Sequence, residues 1–193
     1  FMSTPRLKSA DSLVLDLPFR DKRVDLLASM RTMPTSFSRI EECFGADPGV
    51  LSKLPSFFTA DAPSRTYHRY SGDGIRVQYF GHACVLLETA RVSILIDPMF
   101  ALLPNKQDGR RVLTDLPDFI DYLLISHNHQ DHCCPEMLLQ LRHKVGKVVV
   151  PRNNSGSIAD PSIRLSLVHM GFQDICVVSA FDSIEIPGGH ITS

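Results

Sequence analysis

The stretch Ile125-Ser126-His127-Asn128-His129-Gln130-Asp131-His132 gathers three imidazoles and one carboxylate into six residues, directly after the apolar run Tyr122 to Ile125. At this chain's own His and Asp frequencies, the pattern HxHxDH arises by accident on the order of once in a thousand such sequences. Residues two apart in extended backbone point the same way, so His127 and His129 are placed to grip one cation. Asp131 and His132 then turn toward a neighbouring position. Crowding titratable groups beside an apolar strand is unfavourable unless a divalent ion compensates them. The expected centre is dinuclear, with two ions lowering the pKa of a shared hydroxide and polarising a carbonyl or phosphoryl oxygen. A closed structural zinc fits less well, because such sites favour thiolates and the five cysteines show no CxxC spacing. Cys133 and Cys134 follow the motif, but a helix starting at Pro135 leads their backbone away, so packing is their expected role.

The elements that position the motif are legible from periodicity. From Gly74 onward strands are expected at Ile75 to Phe80, Ala83 to Glu88 and Val92 to Ile96, joined by tight antiparallel connections. The polar segment Pro104 to Asp115, with Arg110 and Arg111, is a candidate substrate loop ahead of the strand Tyr122 to Ile125. A helix from Pro135 ends before Gly146, a strand follows at Lys147 to Val150, and Asp160-Pro161 caps a helix ending at Gly171. Strands at Ile175 to Val178 and Ser183 to Ile186 and the turn Pro187-Gly188-Gly189 complete an α/β pattern: a mixed sheet with helices packed on a face. Before residue 74 the texture differs, with prolines separating short amphipathic helices at Asp21 to Arg31 and Ser36 to Phe44. The expected organisation is a helical extension over 1–73 and a second unit over 74–193.

Composition removes other classes of function. The 193 residues are 44% hydrophobic and 21% charged, enough for a packed core, and the net charge of -1 leaves no electrostatic footprint for nucleic acid or anionic lipid. Apolar runs fall far short of the ~20 residues of a membrane span. A small-molecule substrate and a cytoplasmic location with reduced thiols are the expectations. Both chain ends read as those of a fragment, and the oligomeric state is left open.

The motif residues resemble the metallo-β-lactamase fold superfamily, whose hallmark is HxHxDH after a strand. Gly81-His82-Ala83, Ile94-Leu95-Ile96-Asp97-Pro98, Leu116-Pro117 and Ile120-Asp121-Tyr122 extend the resemblance toward the branch of ascorbate-phosphate lactonases and N-acyl-phosphatidylethanolamine phospholipase D. The run His127 to His132, with Leu138 to Lys144, Val150-Pro151-Arg152 and Asp160-Pro161-Ser162, is similar to the diiron β-hydroxylase of chloramphenicol biosynthesis. The resemblance implies the first half of an αββα sandwich behind a helical extension. It also implies His127 and His129 on a first metal, and Asp131 and His132 on a second, with Asp131 orienting the reactive oxygen. His82 and Asp97 would stand beside the ligands and steady them. The family completes its centre with a further His, or a Glu in the oxygenase-like group, together with a bridging Asp and a last His. His190, directly after a hairpin turn, is expected on the surface instead. Two divalent ions follow, zinc first, with iron or manganese as alternatives. The expected activity is hydrolysis of an ester, lactone or phosphodiester, the alternatives being diiron O2-dependent hydroxylation and a non-catalytic domain that retains the fold.

Overall fold

The computed structural model describes residues 12–45, 47–62, 65–101, 109–153 and 160–193. Alternating apolar residues build a six-stranded mixed sheet whose spatial order follows the chain: β1 (Arg76–Gly81), β2 (Cys84–Glu88), β3 (Ser93–Ile96), β4 (Ile120–Leu124), β5 (Val145–Pro151) and β6 (Ile175–Val178). The first three strands run antiparallel through short turns, and β3 to β6 run parallel. Each later parallel connection carries a helix, as a crossover requires: α4 (Pro135–Leu141) between β4 and β5, and α5 (Ile163–Met170) between β5 and β6. Leu86, Leu95, Leu123, Val148 and Val150 share one face and are buried with Leu138, Leu141 and Leu167 of these helices. Val85, Leu87, Ile94, Ile96, Tyr122 and Leu124 stand half-buried on the other face. The hairpin of β7 (Ser183–Ile186) and β8 (Gly189–Thr192) forms a separate two-stranded sheet, with His190 exposed on it.

Three short helices precede the sheet: α1 (Lys22–Ser29) capped by Asp21, α2 (Phe37–Phe44) capped by Ser36, and α3 (Pro48–Lys53) capped by Asp47. Ile40, Phe44 and Leu54 are the buried centre of a second apolar cluster, lined by Leu15, Leu17, Leu26 and Met30 among others. The linker at 66–70 is clasped onto the sheet by the buried Glu88, which accepts from the Tyr67 hydroxyl at 2.8 Å and from Arg76 Nε at 2.9 Å. Among the described residues no helix is long and apolar enough to cross a membrane.

Two sequence-based boundaries are corrected. The helix from Pro135 ends before Gly146, at Leu141 with a 3-10 turn over Arg142–Lys144, but the next strand starts at Val145 rather than Lys147, so Gly146 lies inside β5. Arg142 and Lys144 are both turned inward, and those tertiary contacts override the glycine signal. The cap of α5 is Ser162, whose hydroxyl accepts from Leu165 N, while Asp160 serves another purpose described below. Gly171 does end α5, at φ 94°, the left-handed conformation that glycine takes without steric cost. The candidate substrate loop lies partly outside the described residues, which omit 102–108.

Lys144 is 4% exposed, and burial pushes its ammonium pKa down to about 8 against the pull of Asp118. The folded protein therefore binds fewer protons than the unfolded chain between about pH 8 and the ordinary lysine value of 10.5, so stability rises with pH across that window. Below it the cost of the buried charge is carried in full. Lys144→Met is expected to stabilise the protein at pH 7 by an amount on the order of 3 kcal/mol at most. The advantage over wild type should vanish above pH 10.5, and urea midpoints at both pH values check it. An equal advantage at both would show that the charge is not the cause.

Candidate metal centre

The turn after β1 and the ends of β3 and β4 meet at one edge of the sheet, where a crevice at strand carboxyl ends commonly receives ligands. The β1–β2 turn delivers His82, the residue after β3 is Asp97, and the loop after β4 carries His127 to His132. Among the described residues three non-glycine positions have positive φ, and His82 (48°) and Asp97 (42°) are two of them. Such conformations persist where surrounding contacts over-determine them.

Asp97 is 4% exposed and is the anchor of the site. One of its carboxylate oxygens accepts from Ser126 N at 2.7 Å; the other accepts from the Ser126 hydroxyl at 2.6 Å and from His132 Nδ1 at 2.8 Å. Because the single Ser126 proton goes to Asp97, Ser126 Oγ is left to accept from His127 Nδ1 at 2.9 Å. In the neutral form of both rings this arrangement places the proton on Nδ1 and leaves Nε2 as the nitrogen that can bind a metal. The His127 ring centroid lies 4.4 Å from that of His129 and 4.0 Å from that of His132. The His129 carbonyl accepts from His132 N and Cys133 N, turning the chain so that Asp131 and His132 face back toward the strand ends. Its own backbone N–H, and then the neighbouring imidazoles of His132, His82 and His129, hold the Asp131 carboxyl below the usual carboxylate range. His82, Asp131 and His132 have ligand atoms mutually within 4.8 Å. Imidazoles oriented through Nδ1 by Asp97 and Ser126, beside a carboxylate held below its usual range, suit a divalent transition metal such as zinc or iron.

All six residues singled out by sequence thus stand at one edge. His127 and His129 are in ring contact with each other, while Asp131 and His132 group with His82 from the β1–β2 turn. Two contributors were missed. Ser126 directly precedes the motif, and that adjacency was its only available signal. Asn128, inside the motif, donates through Nδ2 to Asp160 Oδ1 at 2.8 Å and tethers the loop to the start of α5. Asn153 Nδ2 donates to the Asp160 carbonyl at 3.0 Å, and that is what Asp160 does in place of capping. Cys133 and Cys134 are buried as expected, with burial pushing the Cys133 thiol up to about 11, so neither is a ready thiolate.

Residues 76–190 match the family profile of a beta-lactamase superfamily domain. The chain belongs to this superfamily. Within the beta-lactamase superfamily its resemblances are uneven along the sequence. Residues 1–63 match a diiron non-heme beta-hydroxylase N-terminal domain. Across 100% of its length the chain is 30% identical to the 4-amino-L-phenylalanyl-[CmlP-peptidyl-carrier-protein] 3-hydroxylase of Streptomyces venezuelae, covering 37% of that protein. The crystal structure of CmlA, a diiron beta-hydroxylase from Streptomyces venezuelae, superposes with a TM-score of 0.78 at 29% identity, over 98% of this chain and 35% of that one. A shorter stretch of 61 residues is 38% identical to a metal-dependent hydrolase of Heliobacterium modesticaldum, covering 30% of this chain and 22% of the relative. The chain thus spans just over a third of the hydroxylase it matches along its whole length.

Proposed function

We propose that the chain is part of a dinuclear-iron β-hydroxylase acting on an aminoacyl group presented by a carrier protein. The observation that carries this reading is the likeness to the hydroxylase across 100% of the chain, together with the match of residues 1–63 to a diiron beta-hydroxylase N-terminal domain, where a metal-dependent hydrolase relative overlaps 30% of the chain. Iron then replaces zinc as the first-choice metal. Residues 1–73 form the extension and 74–193 part of the metal-binding fold, in a cytoplasmic enzyme.

His127 and His129 would hold one ion, and Asp131 and His132 the other. When bound, a pair of irons supplies the electrons and the binding position for activating O2. The chain's own contributions are orientation and proton placement. Asp97 and Ser126 keep Nδ1 of His132 and His127 protonated and Nε2 bare. Asn128 fixes the loop against α5. Asp131, kept ionised by its surroundings, is the group placed to orient an oxygen species. His82 faces Asp131 and His132 from the open side. An apolar hollow of about 180 Å3, lined by Ile96, Leu124, Ser126, Ile184 and Ile191, offers space for an apolar part of a substrate.

Hydrolysis is the second reading, supported by the identity to metal-dependent hydrolases over the shorter stretch. The natural-length protein from iron-replete cells is expected to carry a pair of irons and, with reductant and O2, to add one oxygen atom to a carrier-bound aminoacyl group. Iron-free protein that cleaves esters or phosphodiesters with zinc or manganese would overturn the hydroxylase in favour of the hydrolase. Metal content below one ion per chain would favour the non-catalytic domain.

A further inference from the structure

His82 reaches the metal-binding loop from a connection of two residues. Gly81 pairs with Cys84, so His82 and Ala83 alone turn the chain from β1 into β2. At φ 48° His82 occupies a conformation that glycine takes freely and a Cβ disfavours. The turn is braced by the Tyr79 hydroxyl, which donates to the His82 carbonyl at 2.9 Å. What this costly backbone gains is the placement of one imidazole. His82 Nε2 stands 3.0 Å from Asp131 Oδ2 and 3.3 Å from His132 Nε2, and His132 Nε2 stands 3.8 Å from the same carboxylate oxygen.

Those three atoms form a small triangle of potential ligand atoms, all within 4.8 Å of one another. With Nδ1 of His132 engaged by Asp97 at 2.8 Å, its Nε2 is the ring nitrogen turned toward His82 and Asp131. Separations of 3.0 to 3.8 Å are those of nitrogen and oxygen donors sharing an ion at about 2.0–2.2 Å. His82 is also 48% exposed at its side chain, so the triangle opens to solvent on one side and an ion can enter.

We propose that His82 is a direct ligand of the ion held by Asp131 and His132, giving that position a His-Asp-His set drawn from two separate strand connections. This rests on the reading of the strand-end cluster as a metal centre. It makes occupancy of the second position depend on the β1–β2 hairpin, which a partner that only orients Asp131 would not do to the same degree.

His82→Gly decides the matter, because glycine relieves the turn and leaves a hole the size of an imidazole. In the natural-length protein titrated with Co(II), the variant is expected to bind one of two cobalt ions more than about 100-fold more weakly, beyond the usual loss of an orienting partner. The visible cobalt band assigned to that ion should weaken, and free imidazole should restore it by filling the hole. Wild-type cobalt affinity and spectrum in the variant would overturn the ligand assignment and leave the metal centre standing. A wild-type protein that binds no cobalt would overturn both.

Discussion

Replacing Asp97 by asparagine is expected to weaken metal binding at the position served by His132 by about 10–100-fold, in the range seen when hydrogen-bonded partners of ligands are removed. The carboxylate takes three donors from two residues: Ser126 N, the Ser126 hydroxyl and His132 Nδ1. Asparagine keeps one acceptor oxygen, which still serves Ser126 N. Its amide nitrogen then faces two donors, the Ser126 hydroxyl and the His132 Nδ1 proton. The least costly relief is to move the His132 proton to Nε2, where it blocks the lone pair a metal needs. Because Ser126 also fixes the His127 tautomer, the defect should spread to the first metal position. Competition against a chromophoric chelator measures the affinities. Ser126→Ala should show a smaller loss, since His132 keeps its direct bond to Asp97. Undiminished affinity in Asp97→Asn would mean that the carboxylate serves only the backbone after β3.

Arg142→Leu is expected to cost about 3–5 kcal/mol of stability, the range for breaking a buried charge cluster by removing one partner. The guanidinium is 5% exposed and gathers the helical extension onto the sheet unit. Its Nε donates to Asp25 Oδ1 at 2.7 Å, its Nη2 to the Asp21 carbonyl at 2.9 Å, and its Nη1 to the carbonyls of Phe19 and Met170. Leucine would leave the Asp25 carboxylate, 28% exposed at its side chain, and these carbonyls without their donor. Lysine should not rescue the loss, because an ammonium cannot serve groups on α1, on the segment before it and on the end of α5 at once. Urea unfolding gives the magnitude, and limited proteolysis should cut the variant within residues 12–45 first. A change under 1 kcal/mol would show that water replaces these bonds.

The parts of the fold legible in the sequence are those whose cause is local. Alternation marked β1 to β3, short polar gaps marked their hairpins, and Asp21 and Ser36 announced the starts of α1 and α2. Boundaries failed where a distant partner outweighed a local signal. Gly146 follows the helix but lies inside β5, and Arg142, just after the helix, bonds to Asp25, 117 residues away. Asp160 looks like a cap, yet its carboxylate is engaged by Asn128, 32 residues earlier.

By itself, the sequence determined that ligands of metal-binding type would cluster after β4, since six adjacent positions following a buried strand have nowhere else to project. It also carried the family, through motifs that survive as short local strings. Only the tertiary structure decided how those side chains are held. Asp97 lies 35 residues before His132 and His82 lies 50 before it, and neither separation follows a helical or strand period. Pairing of β1 with β2, of β2 with β3 and of β3 with β4 brings both to the edge where β4 ends, because hydrogen-bonded register, unlike spacing along the chain, sets which side chains share a rim.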